Sequence, residues 1–438
     1  MATLHVESRK IRRDLGVKIA LLIHELQVQG GGERQCVALA RALQSAGHDV
    51  TLYTSVYKPA CYAQICSELK IRVTGRGWLP RMERSAYLRR FLDMRRMLAA
   101  IDEAHDIWNP HHWPSHWAAV WLKGKLGGQV VWMCNDVPDF KQKYSGARVN
   151  HSLVEQFKSL LYKWMWKYDA RQIRGIDRTV VLSDWTKAEL SEVYETPISV
   201  VRSGMDSGLR IPGDSEKIRH RFGFASTDFV VLWFGIFMPH RRLEDGIVAT
   251  ARLRERGVSV RLLLAGATSA SPEYAAQLRS VAAELKVQDL VVFAGPVSET
   301  EVNDYYAAAD VFLFPNVNQT WGLVVIEAMA AGKPVVVSTG SGVHEVLEDH
   351  KTALKVPPYD PDAIAERLEL LYRNPRLRAA LADSGKNYSR KRFSWERYAQ
   401  EMMDAFEQAQ TSSMNKLGTA PEAPQALAPV ARSRGDAR

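Results

Sequence analysis

Cysteine is scarce in this chain: four residues, Cys36, Cys61, Cys66 and Cys134, among 438. None stand in C-x-x-C spacing and no His pair lies beside them at zinc-finger spacing. A disulfide framework and a structural zinc module are therefore disfavoured, and a reducing cytosol is the simpler setting. No stretch approaches the roughly 18 apolar residues of a membrane span. The first 15 residues are charged and lack an apolar core, unlike a signal peptide. The sequence thus reads as soluble or peripheral. Short-period repeats are absent, and so is any RNA-binding motif, so nucleic acid is a poor partner for the net charge of +9. That charge suits phosphorylated ligands or anionic lipid headgroups. What is abundant is apolar residue, 46% of the chain. Because single cores stop growing near roughly 250 to 300 residues, this length predicts two domains.

From Val17 onward, short apolar runs alternate with amphipathic segments, the pattern of parallel strands joined by helices. Lys18–Ile23, Val50–Tyr53, Asp106–Trp108, Val130–Trp132, Thr179–Leu182 and Ile198–Val201 supply the first half. Phe229–Phe234, Val260–Ala265, Val291–Phe293, Val311–Phe314 and Pro334–Val337 repeat the scheme. The expectation is an α/β protein with two doubly wound, Rossmann-like domains. A polar stretch with Gly204, Gly208, Pro212 and Gly213 marks the join. The boundaries read as a tail over 1–15, a first domain over 16–205, a linker over 206–215, a second domain over 216–392, and a disordered, Ala/Pro/Ser-rich tail over 410–438.

The most informative segment is Asn318–Pro334, NQTWGLVVIEAMAAGKP: a polar loop, a glycine, a short helix and a glycine that ends it. After Gly322 the amides of Leu323 and Val324 would be donors at a helix start, where the helix dipole also favours an anion. Glu327 lies one turn further on, so its carboxylate can face the same cleft and accept from vicinal hydroxyls such as those of a ribose. An isolated helical Glu is usually a solvated surface residue. This segment resembles the retaining glycosyltransferases of family 4, whose fold is called GT-B and whose pattern is Glu-x-Phe-Gly-Leu-Val-x-x-Glu-Ala-Met-Ala-x-Gly-x-Pro. The chain departs from it at Gln319, where the family has its first glutamate, and at Trp321, where it has Phe. The resemblance spans about Val17 to Phe406 and implies that a final helix, over 393–409, crosses back to the first domain.

Three other constellations carry chemistry. The triplet Gly30-Gly31-Gly32 precedes Glu33-Arg34 and opens a helix after the first strand. Glycines there let backbone approach an anion, although such a triplet can also be only a flexible turn. In the resembled family this loop lies against the donor diphosphate and the acceptor, which nominates Gly31 and Gly32. A second cluster, Asn109-Pro-His-His-Trp-Pro-Ser-His-Trp117, follows a strand end. The family's His-x-His, aligned on that strand, puts His111 against the transferred sugar. Domain packing, or metal binding by His112 and His116 four residues apart, are the other readings. The role of Asn135 or Asp136, at the next strand end, is open. The third is Gly235-Ile-Phe-Met-Pro-His-Arg-Arg242. The family places an Arg directly after this glycine and a Lys six residues beyond it; here these are Ile236 and Arg241. Arg242 stands next to it, and a guanidinium pair could grip phosphate bidentately in place of the missing Arg, unless the pair is only solvated surface.

Two basic amphipathic segments, 81–98 and 157–174, place Leu88, Phe91 and Met94, and Leu160 and Trp164, on faces flanked by Arg and Lys. They suit docking on an anionic membrane, or are core helices with wet cations. Taken together, the resemblance implies a retaining, metal-independent hexosyltransferase without cofactor. It would use a nucleotide sugar, with GDP-mannose the leaning, and a glycan or polyprenyl-linked acceptor. The setting would be cytoplasmic, with the inner membrane face as a candidate location. In this reading Arg241, His111 and Gln319 act on the reacting sugar, and Gly31, Gly32, Arg242, Gly322, Leu323, Val324 and Glu327 hold the donor. Gln319 can position a sugar hydroxyl but cannot act as a base. The alternatives are a sugar-nucleotide 2-epimerase and a catalytically weakened scaffold, the latter motivated by Ile236 and Gln319.

Overall fold

The computed structural model describes residues 16–27, 30–75, 86–135, 153–205 and 213–418. Each apolar run becomes a strand whose two faces are both covered, as a parallel sheet requires. The first sheet contains β1 (Lys18–Leu26), β2 (Asp49–Tyr57), β3 (Ile71–Val73), β4 (Ile107–His111), β5 (Gln129–Met133), β6 (Arg178–Val181) and β7 (Ile198–Val200). Its order is β3-β2-β1-β4-β5-β6-β7, with every pairing parallel. The second contains β8 (Phe229–Phe234), β9 (Val260–Ala265), β10 (Val291–Gly295), β11 (Val311–Phe314), β12 (Val335–Ser338) and β13 (Leu354–Val356), in the order β10-β9-β8-β11-β12-β13, again all parallel. The chain is therefore α/β with two doubly wound sheets. Strand order reverses between β1 and β4 and between β8 and β11, and crevices form beyond the carboxyl ends at such points.

The last helix, Trp395–Gly418, leaves the second domain and packs on the helix Gly31–Ser45 and on β5 and β6, burying Tyr398, Met402 and Phe406. It continues through Gly418, so residues 410–418, expected as part of the tail, are helical. The first proline after Gln410 is Pro421, and the intervening residues are compatible with helix until Gly418. The N-terminal segment, most of the linker and the chain beyond 418 lie outside the described residues, as does Asp136. No helix among the described residues is long and apolar enough to cross a membrane.

Candidate active site

The two switch points face each other across a cleft of about 1130 Å³. On the second-domain wall, the helix Leu323–Ala330 starts at Gly322 with no side-chain cap, and Leu323 and Val324 line the cleft. A Cβ at Gly322 would press on Val343 and Phe314, so only glycine lets the loop sit this close to β11. Glu327 follows on the cleft side, 2% exposed, with Tyr306 Oη 3.4 Å from its Oε2. Burial and this carboxylate push the Tyr306 phenol well above its ordinary range, so it stays a neutral donor.

After β8 the chain turns at Gly235, whose φ of 154° lies in glycine territory, and Ile236 lines the cleft where the family carries Arg. A 3-10 turn, Pro239–Arg241, then presents Arg241, whose guanidinium donates to Oε1 of Gln319. The loops carrying the two residues are tied by the amide of Val317 donating to the carbonyl of His240 at 2.9 Å. The Gln319 carbonyl in turn accepts from the amide of Gly342 at 2.7 Å. Arg242 behaves differently. Its φ of 51° turns it away from the cleft lining, and it pairs with Glu244 and Asp245, both at 2.6 Å, beneath the ring of Tyr359. The acidic first turn of the helix Leu243–Glu255 captures this cation. The adjacent Arg241 and Arg242 are therefore split, Arg241 lining the cleft and Arg242 lying off it.

On the first-domain wall, Gly30, Gly31 and Gly32 open the helix Gly31–Ser45 without a side-chain cap, and the loop is held by Tyr62 Oη donating to the Gly30 carbonyl at 2.8 Å. A Cβ on Gly31 would meet nothing, whereas one on Gly32 would overlap the imidazole of His112 and approach the Asn135 amide. His111 is not at this surface. It sits on central strand β4, fully buried, with Nε2 3.0 Å from Asn109 Oδ1, and burial lowers its pKa to about 3, so it stays neutral. The chain leaves the sheet at the next residue, where a left-handed φ of 59° aims His112 into the cleft. The motif aligned on the strand thus falls on a buried histidine, and the one on the cleft lining is the next residue, placed there by the left-handed φ just after the strand ends.

Beside His112, Asn135 is 5% exposed with neither amide atom partnered, while its carbonyl accepts from Thr320 Oγ1 of the other domain at 2.6 Å. Trp113 extends the wall, with the Arg90 guanidinium 5.6 Å over its ring. Behind them Asp169 is fully buried and accepts from Trp113 Nε1, Trp117 Nε1 and Tyr194 Oη, with His116 Nε2 at 2.9 Å. Burial pushes this carboxyl up, but His116 and the donors outweigh it and hold it below its ordinary range. His116 Nε2 thus meets a carboxylate, and no group of three potential metal ligands occurs among the described residues.

Arg34 is the residue the sequence reading passed over. From the first turns of the helix Gly31–Ser45 it crosses the cleft and places Nη1 2.6 Å from Oε1 of Glu327. Its position two residues after the triplet was a usable signal. The wall it meets cannot be deduced from a sequence separation of almost three hundred residues.

A model described as Glycosyltransferase Family 4 matches residues 29–208, and one described as Glycosyl transferases group 1 matches 214–388. A D-inositol 3-phosphate glycosyltransferase of Acidothermus cellulolyticus is 27% identical over 427 residues, covering 92% of each chain. One of Saccharomonospora viridis is 28% identical over 316 residues, covering 70% of each. Among solved structures, sucrose-phosphate synthase from Thermosynechococcus elongatus superposes with a TM-score of 0.72 at 21% identity, over 90% of this chain and 99% of that one. Anabaena HepE in complex with UDP and glucose gives 0.73 at 16%, over 89% and 99%. These likenesses show a shared two-domain GT-B fold.

Proposed function

Because the chain belongs to the family 4, group 1 glycosyltransferases, we propose that it moves a hexose from a nucleoside-diphosphate sugar to a hydroxylated acceptor with retention at the anomeric carbon. One observation carries this reading: two helix starts without side-chain caps, at Gly30–Gly32 and at Gly322, open onto one cleft with Arg241 on its lining. Breaking the anomeric C–O bond leaves its electron pair on the diphosphate. Backbone donors and a guanidinium fixed in advance around that charge stabilise it with little rearrangement. Glu327 has the burial and position to accept from the ribose. Gln319 orients Arg241 and, in the same place, a sugar hydroxyl. The charge is met by side chains and helix termini, so no metal is required.

The acceptor belongs on the first-domain wall, where Asn135 and His112 offer hydrogen bonds and Arg90 offers a cation. The relatives named for D-inositol 3-phosphate support an acceptor that carries an anionic group. The amphipathic helices add a surface. In Ala86–Ala100, Met94 and Met97 are buried while Leu88 and Leu92 are 55% and 39% exposed; in Leu153–Ile173, Leu160 and Trp164 are 66% and 53% exposed, next to exposed Lys163 and Lys167. Exposed apolar side chains among cations suit an anionic membrane that carries a lipid-linked acceptor. Co-sedimentation with phosphatidylglycerol vesicles but not phosphatidylcholine vesicles tests that surface.

The deciding experiment is a thermal-shift panel of GDP-mannose, UDP-glucose and related sugars, followed by product analysis with the stabilising donor. Stabilisation and a retained anomeric linkage are expected. Interconversion of the donor sugar without acceptor would instead make the protein a 2-epimerase. Binding without turnover on any acceptor would make it a scaffold.

A further inference from the structure

The proposed reaction leaves one electrostatic question open. A departing diphosphate is commonly met by two cations in this family, and here Ile236 stands in one place while Arg242 is turned outward onto Glu244 and Asp245. Among the described residues a single guanidinium, Arg241, remains on the second-domain side of the cleft lining. From the other side Arg34 reaches Glu327, with side chains 21% and 2% exposed, and it springs from the same glycine loop whose helix start faces the cleft. A buried ion pair is poor at adding stability, because desolvation offsets most of its attraction. A pair that spans a ligand cleft between domains therefore calls for a reason other than folding.

We propose that Arg34 is the second diphosphate-binding cation of this enzyme, parked on Glu327 until a donor arrives. This inference rests on the nucleotide-sugar reading above. When the donor enters, its ribose hydroxyls take Glu327 and its phosphates take the guanidinium, so one bound molecule replaces both halves of the pair. Arg34 comes from the opposite domain, so the same contact draws the two halves of the cleft together around the donor. The arginine is better suited than lysine, since its planar fork meets a carboxylate or two phosphate oxygens equally well.

The test uses the full chain and four probes, UDP, GDP, uridine and guanosine, titrated against the wild type, Arg34→Met and Arg34→Lys. For the diphosphate that the wild type binds, Arg34→Met should weaken binding roughly 10- to 100-fold, the range of a lost charge-assisted contact. The matching nucleoside should bind as well as before or more tightly, because Glu327 no longer has a competitor. Arg34→Lys should fall between. Diphosphate affinity unchanged or raised in Arg34→Met would overturn the proposal and leave Arg34 as a counter-ion only. Equal losses for diphosphate and nucleoside, with a lowered melting temperature, would overturn it in favour of a structural role. A wild type that binds none of the four would remove the nucleotide-sugar reading itself.

Discussion

The two walls of the cleft are built on different plans. The second-domain wall is made of short contiguous loops, Gly235–Arg241 and Asn318–Glu327, in which backbone amides and neighbouring side chains act together. The first-domain wall is assembled from the ends of β1, β4 and β5 and from helices whose side chains, Arg34, Arg90, His112 and Asn135, stand far apart in sequence. A contiguous motif tolerates small errors of alignment because the helix start carries the function. A wall of single side chains does not, and one residue separates the buried His111 at the end of β4 from His112 on the cleft lining.

The largest effect expected is on the contiguous wall. Arg241→Ala should abolish transfer and weaken nucleoside-diphosphate binding by roughly 1.5 to 3 kcal/mol, about 10- to 150-fold, with the fold intact. Calorimetry showing wild-type affinity would remove Arg241 from the site. On the assembled wall, His112→Ala should lower kcat by roughly 100-fold, the cost of a misplaced reactant, with little change in melting temperature. His111→Ala should do the reverse and destabilise the fold by roughly 1 to 3 kcal/mol. If His111→Ala kept stability and lost activity, the histidine assignment would return to the strand.

Gln319→Ala should reduce transfer more than Gln319→Glu, since the glutamate keeps both the length and an acceptor for Arg241. Equal activity of Gln319→Ala and wild type in steady-state kinetics would exclude a positioning role. A smaller effect concerns pH. His111 is held neutral down to about 3 in the fold but takes a proton near 6.5 when unfolded. The unfolded chain then binds more protons between these values, so stability is full above about 6.5 and is lost as pH falls. Unfolding free energies from urea titrations at pH 7 and 5 should differ by up to roughly 2 kcal/mol more in the wild type than in His111→Gln. An equal difference in both proteins would mean that His111 titrates normally. No effect at all is expected from EDTA; activity lost to it and restored by magnesium would overturn the metal-independent mechanism.

The sheets were legible because parallel strands buried on both faces write themselves as apolar runs. The exceptions are β3 and β13, three-residue edge strands in which a cation, Arg72 or Lys355, interrupts the apolar run. Gly322, Leu323, Val324 and Glu327 were readable because one helical turn links them. The placement of Arg242 off the cleft lining could not be foreseen, because adjacency in sequence says nothing about its left-handed φ. Arg34 and Asn135 were not assigned roles since their partners, Glu327 and Thr320, belong to the other domain, and no local pattern encodes a meeting across a cleft.

The crossing-back helix imposes an order on biosynthesis. Tyr398, Met402 and Phe406 cover apolar surface of the first domain, yet they are translated after the whole second domain. At ribosomal speeds the interval between β7 and Phe406 lasts roughly 10 to 40 s. During that time the emerging first half carries an open greasy groove that only its own distant continuation can close. A chain cut after Ser394 would keep the groove open permanently. It should bind a hydrophobic dye that the full-length protein ignores, and equal dye binding by the two would show that the groove closes without its helix. The first lobe is thus completed only after the second has been translated.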